Sequence, residues 1–375
     1  MEKSNRKFKL ILFSGVVLLI CFYFSVFLSH YTYNTDFAIY YSIANKILDP
    51  DIPNISIYDI DTANKYSIPE STEIHGFSYS MTAAYMMSPL ALIPYFKAKS
   101  LMIFMNILMY LASIAIALRL GGASGRWFVY PLALLCLWPP FIENMRQGQI
   151  NGILLFLIAV AVFAATKNQP ALCGIFLAIA ALFKVFPVAI AMVIGIKNWR
   201  IFASCFVAFV ISFFIPGSLK WFEALSNNLT RFDLLYNPIY LWLQQFGPVW
   251  FWVYASAIGS CTAIVAFRAK DANYPLLTSY AIPAVFLTMP ILEYAHFTIL
   301  PLSYAYLLVS AKRSNRLLIT SIFISFIMIS ISFFSEVLLF SINTAKVIRL
   351  LGLSVFWAAL TYNLSAAPSV KDLDV

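Results

Sequence analysis

Apolar runs of about 17 to 25 residues, the length that crosses roughly 30 Å of hydrocarbon, recur between residues 10 and 364 with only short polar interruptions. That pattern predicts an all-α, polytopic membrane protein of about 11–12 transmembrane helices. A basic head (Lys3, Arg6, Lys7, Lys9) precedes the first run at 10–28, which lacks a small-residue cleavage site and reads as an uncleaved span. Residues 30–77 form the longest polar stretch, rich in Asp, Glu and Tyr. Within it, residues 36–48 repeat apolar positions at helical spacing, which predicts an interfacial helix in a long first extracytoplasmic loop. Residues 81–95 are apolar but carry Pro89 and Pro94, so they either lie in the interface or re-enter without crossing, or make a full span that would invert the topology of everything after them.

Further spans are expected at 101–118, 127–142 and 150–165. The run 171–196 is halved at Lys184-Val-Phe-Pro187, and each arm is short for a crossing. A hairpin with Lys184 in the outer half of the membrane is therefore expected. Beyond it come runs at 201–215, 249–267, 274–291, 297–310, 317–340 and 347–364, with a second outer segment at 216–247. The chain reads as one membrane domain, 1–375, in which 1–200 carries the outer loop and the polar motifs and 201–375 adds C-terminal spans.

Composition agrees: 62% of residues are hydrophobic and 11% charged, which excludes a large soluble domain. The net charge of +9 could signal a nucleic-acid partner. The basic residues sit in small clusters between spans, however, as lysine and arginine do in cytoplasmic loops, so no nucleic-acid partner is expected. The same rule places both termini in the cytoplasm and 30–77 outside, consistent with a cell (plasma) membrane protein in contact with lipid. Lys346 and Arg349 fit that topology poorly. Cys21, Cys136, Cys173, Cys205 and Cys261 stand singly and make neither a disulfide framework nor a zinc motif. No Gly-rich phosphate loop is present.

Against this background the polar knot Arg146-Gln147-Gly148-Gln149-Ile150-Asn151 stands out, because charge beside hydrocarbon is costly unless it meets a cavity, a headgroup or a substrate. Asp36 lies where the first span meets water, and Lys184 follows more than a dozen apolar residues. Glu293, Tyr294 and His296 form the last polar cluster. Each has a plainer alternative: Asp36 as a helix cap, Arg146 and Lys184 as snorkelling anchors, Gln149 and Asn151 as caps of the next span, His296 as a structural histidine.

The order Asp36, Gly148-Gln149-Ile150-Asn151, Lys184-Val185-Phe186-Pro187 and Lys197-Asn-Trp-Arg200 resembles the polyprenol-phosphate-mannose-dependent mannosyltransferase-like family of the GT-C glycosyltransferases, the glycosyltransferase family 87 type. The resemblance covers roughly 35–200, more weakly to about 301. It implies an enzyme that moves a hexose, by default mannose, from a polyprenyl-phosphate donor to an extracytoplasmic glycan or glycolipid acceptor.

Such a transfer needs a base for the acceptor hydroxyl and cations for the departing phosphate. Asp36 is the candidate base of an inverting displacement, and Arg146 and Lys184 are the candidate phosphate holders. Gln149, Asn151, His296 and Tyr79 are the candidate sugar or substrate contacts. Two departures from the family pattern are a single histidine at Tyr294-Ala295-His296 and no proline after Tyr79. No cofactor motif is present, and metal dependence is open, since one carboxylate base serves with or without a divalent ion. The competing reading is a lipid or sugar transporter or flippase without transferase activity, or a non-catalytic scaffold.

Overall fold

A computed structural model describes residues 24, 35–49, 51, 58, 79–221, 223, 237–269, 272–290, 292–310, 315–338 and 342–366. The run at 10–28, residue 24 apart, and the loop at 30–77 outside 35–49, 51 and 58 lie outside the described residues. Every regular element among those described is helical.

The predicted interfacial helix is α1 (Thr35–Leu48). Phe37, Ala38, Ile39, Tyr40, Ser42, Ile43, Ala44 and Lys46 are buried and Leu48 is exposed, so the helix is packed into protein on nearly every side. Next come α2 (Met81–Met87) and a 3-10 turn (Ser88–Leu92). Ser80 caps α2 by accepting from the Ala83 N–H at 3.1 Å. Seven residues rise only about 10 Å at 1.5 Å each, too little to cross. Pro89 and Pro94 prevent continuation, and the stretch folds back onto α1. There the Tyr41 hydroxyl donates to the Ile93 carbonyl at 3.0 Å and the Tyr41 and Tyr95 rings meet edge to face at 5.1 Å. Of the two options open from sequence, residues 81–95 therefore take the non-crossing one.

The chain continues through α3 (Tyr95–Leu120), α4 (Arg126–Cys136) with α5 (Pro139–Gln147), α6 (Asn151–Thr166), α7 (Pro170–Phe183), α8 (Pro187–Gly195) and α9 (Trp199–Ile211). After α10 (Pro238–Gln244) follow α11 (Pro248–Arg268), α12 (Tyr274–Thr288), a 3-10 turn (Tyr294–Ile299), α13 (Pro301–Ser310), α14 (Arg316–Leu338) and α15 (Ile342–Ala366). By length and hydropathy, α3, α11 and α15 can each cross a membrane alone, and the pair α4–α5 can do so as one span bent by 48°. Asn151–Thr166, Pro170–Phe183, Trp199–Phe214, Tyr274–Thr288 and Arg316–Ser332 are shorter apolar helical stretches.

The bend has a local cause. Pro139 lacks the N–H that would reach the Leu135 carbonyl, and the Tyr110 hydroxyl donates to that oxygen instead at 2.6 Å. Phe141, past the break, stacks on Tyr110 with ring centroids 3.7 Å apart. The helix then runs on to Gln147, five residues beyond the end of the apolar run, and so carries Arg146. The Lys184 hairpin forms as the prolines and polar residues predict, between α7 and α8.

Helix approach is close where glycine allows it. A Cβ on Gly174 would come within 2.5 Å of the Ile201 carbonyl, so α7 and α9 pack backbone to backbone. Lys346 and Arg349 are buried on α15 rather than lying in a loop. Arg349 sits 4.5 Å over the Tyr294 ring and donates to Ser332 Oγ at 2.9 Å, which accounts for its misfit with the loop-charge rule.

Candidate active site

The site grows from the turn between α5 and α6. Gly148 ends α5 in the left-handed region at φ 70°, where a side chain is disfavoured. The Gln149 N–H returns to the Asn144 carbonyl at 2.9 Å, closing the helix end. The first turn of α6 needs partners for its free N–H groups, and two asparagines supply them. Asn144 Oδ1 accepts from the Asn151 N–H at 3.1 Å, and Asn106 Oδ1 accepts from the Gly152 N–H at 3.0 Å. Gln149 and Asn151 are thereby held on a rigid turn, both buried.

A second segment docks against this turn from the far end of the sequence. Glu293 and His296 form a capping box: His296 Nδ1 accepts from the Glu293 N–H at 3.0 Å, and the Glu293 carboxylate accepts from the His296 backbone. An accepting Nδ1 places the imidazole proton on Nε2. Trp138 Nε1 donates to the Phe297 carbonyl at 2.9 Å, Thr298 Oγ1 to Pro140 at 3.0 Å, and Asn151 Nδ2 to Ala295 at 3.1 Å. These bonds press the 3-10 turn onto α5 and α6. The result is a contact between Gln149 Nε2 and Glu293 Oε2 of 2.5 Å.

Around that contact the remaining polar groups gather. Lys184 Nζ, at the hairpin tip, donates to Gln149 Oε1 at 3.3 Å, and Asn151 Nδ2 donates to the same oxygen at 2.7 Å. Asp36, half-buried in the first turn of α1, joins the cluster. Burial lifts its carboxyl from the ordinary 3.8 to about 7; the Glu293 charge adds to this, Lys184 and a hydrogen bond from Gln149 oppose it, and Glu143 adds a smaller push. Tyr79 and Tyr40 share a hydroxyl hydrogen bond at 2.7 Å beside Asp36. Burial, then the Asp36 charge, holds the Tyr79 hydroxyl protonated, so it remains a donor. Arg146 stands at the edge with its side chain 58% exposed, gripping Glu143 through Nε at 2.7 Å and Nη2 at 2.6 Å.

A family model described as glycosyltransferase family 87 matches residues 77–292, more than half of the chain. The chain belongs to glycosyltransferase family 87. None of the curated proteins compared with it matches.

Membership in family 87 makes the chain a glycosyltransferase, and its apolar helices make it a membrane protein. The matched segment contains Tyr79, Arg146, Gln149, Asn151 and Lys184; Asp36 lies before it and His296 after it. The fold joins all three portions. Asp36, Gln149, Lys184 and Glu293 form the centre, with Tyr79 next to Asp36. Asn151 serves to orient Gln149, and His296 spends Nδ1 on its cap, leaving Nε2 for any substrate contact. Arg146 is at the rim, one residue pair removed.

Sequence reasoning underrated three residues. Glu293 was visible only as part of a polar cluster, and Glu143 and Gln147 were not singled out. Gln147 Nε2 donates to Glu143 Oε1 at 2.6 Å and its Oε1 accepts from Gln149 at 2.7 Å, so a polar chain runs from rim to centre. The i, i+3 and i, i+4 spacing of Glu143 from Arg146 and Gln147 was the available signal. Among the described residues no group of three or more His, Cys, Asp or Glu side chains converges as a metal site.

Proposed function

We propose that the protein transfers a hexose, with mannose the expectation carried by the family resemblance, from a polyprenyl-phosphate donor to an extracytoplasmic glycolipid or glycan. The site faces the outside of the cell membrane, with both termini in the cytoplasm. Asp36 accepts the proton of the acceptor hydroxyl while the acceptor oxygen attacks C1 of the sugar. The bond from C1 to the phosphate oxygen breaks, its electron pair stays on the phosphate, and the anomeric centre inverts. Lys184 and Arg146 hold the departing lipid phosphate, Lys184 as a point charge and Arg146 through the N–H groups not used on Glu143. Gln149, Tyr79 and His296 Nε2 offer hydrogen bonds to sugar hydroxyls.

The observation that carries this reading is the convergence of a carboxylate of raised proton affinity and a lysine on one amide, from three distant segments. A base working near neutral pH and a cation for a leaving phosphate are the two groups the reaction requires. Purified protein incubated with polyprenyl-phosphate mannose or glucose and an acceptor extract should release polyprenyl phosphate. Asp36→Asn should abolish the release while the chain stays folded. Release by that variant at the wild-type rate would remove Asp36 as base, and lipid translocation without release would favour the flippase reading.

A further inference from the structure

From Leu292 to Leu307 every residue is buried except Glu293, so the turn before α13 meets open space at this one side chain. Lys184, at the hairpin tip, is half-buried in the same way. Gln149 between them is only 2% exposed, and its amide joins them: Nε2 lies 2.5 Å from Glu293 Oε2, and Oε1 accepts from Lys184 Nζ at 3.3 Å. A carboxylate and an ammonium thus stand at opposite ends of one buried amide. A fold that needed only to neutralise Lys184 would pair the two charges directly, whereas here the amide stands between them.

Glu293 is also held rigidly. Its N–H donates to His296 Nδ1 at 3.0 Å, its carboxylate accepts from the His296 backbone, and the turn is fastened to α5 and α6 by Trp138, Thr298 and Asn151. An ionised carboxylate offers about four acceptor positions. Among the described residues, His296 and Gln149 are the groups that donate to it, so acceptor capacity is left over on the half-buried side.

We propose that Glu293 is a specificity-determining residue that binds the transferred sugar: its carboxylate accepts hydrogen bonds from hydroxyls of the hexose carried on the polyprenyl phosphate. The proposal rests on Lys184 holding the donor phosphate and makes no use of Asp36. A phosphate on Lys184 brings the attached sugar within reach of a group one amide away, and an ionised carboxylate accepts from a hydroxyl more strongly than a neutral oxygen does. Because the cap and Gln149 already fix the carboxylate, little ordering is needed on binding. An acceptor-only group also favours hydroxyls over phosphate oxygens, so Glu293 sorts the sugar end of the donor from the phosphate end.

The test uses the full-length protein with polyprenyl-phosphate mannose or glucose, and with donors lacking each sugar hydroxyl in turn. At least one deoxy donor should lose about 10- to 100-fold in kcat/KM with the wild type, and Glu293→Gln should lose a similar factor with the parent donor. On that deoxy donor Glu293→Gln should lose less than about threefold further, because the bond is already gone. The amide keeps the volume and an oxygen for the His296 backbone, so the cap survives. Glu293→Asp withdraws the oxygens by one methylene and should show the same blunted discrimination, which serves should the amide variant not fold. Bare polyprenyl phosphate, which carries no sugar, should inhibit Glu293→Gln at least as strongly as the wild type, since a repelling charge has gone.

A wild type that uses every deoxy donor as well as the parent would overturn the proposal without any variant. So would equal deoxy losses in the wild type and the Glu293 variants, or a Glu293→Gln that weakens bare polyprenyl phosphate and the parent donor alike, which would make Glu293 a holder of Lys184. If Lys184→Met is inhibited by bare polyprenyl phosphate as the wild type is, the phosphate reading falls and this proposal with it. If Lys184→Met loses that inhibition and the Glu293 variants keep full discrimination, only the role of Glu293 falls.

Discussion

Gln149 Nε2 lies 2.5 Å from Glu293 Oε2, joining positions 144 residues apart in the chain. The site is therefore a joint between two separately folded turns, one ending α5 and one opening α13. It exists only while the 3-10 turn stays docked through Trp138 and Thr298.

The raised carboxyl of Asp36 sets the pH dependence of transfer. A base with a proton affinity near 7 is ready only above that pH, so kcat/KM should fall about tenfold per unit below about 7. The same shift bears on stability with a definite sign. The folded state binds the proton more tightly than the unfolded chain, so the contribution of Asp36 is most favourable below 3.8 and is lost as pH rises to about 7. Asp36→Asn should raise the unfolding temperature at pH 8, with a gain that shrinks on acidification and vanishes below about pH 4.

Removing Lys184 should have two effects of different kinds. Lys184→Met takes away a charge-assisted bond to phosphate and should raise KM for the donor by about 10- to 100-fold. It also removes the cation that opposes the lift in Asp36, so the acid limb should move to higher pH. Donor titrations across a pH series read both; a limb moving down would contradict the placement of Lys184 beside Asp36.

Arg146 offers a milder test of phosphate holding. Two of its N–H groups are spent on Glu143, and the side chain is 58% exposed. Arg146→Lys keeps the charge and loses the fork, so donor KM should rise by a factor of several while stability changes by less than about 1 kcal/mol. Equal donor KM in the variant and the wild type would take Arg146 out of the donor site.

Gly152 is required for packing. A Cβ there would lie 2.6 Å from the Asn106 carbonyl and 2.8 Å from Asn106 Oδ1, the atom that caps the Gly152 N–H. Gly152→Ala should destabilise the protein by about 1–3 kcal/mol and loosen the turn bearing Gln149. Thermal unfolding in detergent would measure it.

What the sequence determined by itself is what depends on neighbours along the chain. The helical class follows from the apolar runs, the break at Lys184 from Pro187, and the α1 helix from its apolar spacing, because helices close their hydrogen bonds locally. Residue types also marked Asp36, Lys184 and Gln149 as chemically costly near lipid and so worth a purpose. Only the tertiary structure decided how these groups meet. Whether 81–95 crosses depended on the docking of Tyr41 at Ile93, and the place of Arg349 on a ring 55 positions away. The partnership of Gln149 with Glu293 depended on bonds from α5 to a turn nearly 160 residues later. No local period or propensity encodes such contacts: they arise when apolar helices pack and their few buried polar groups must find one another.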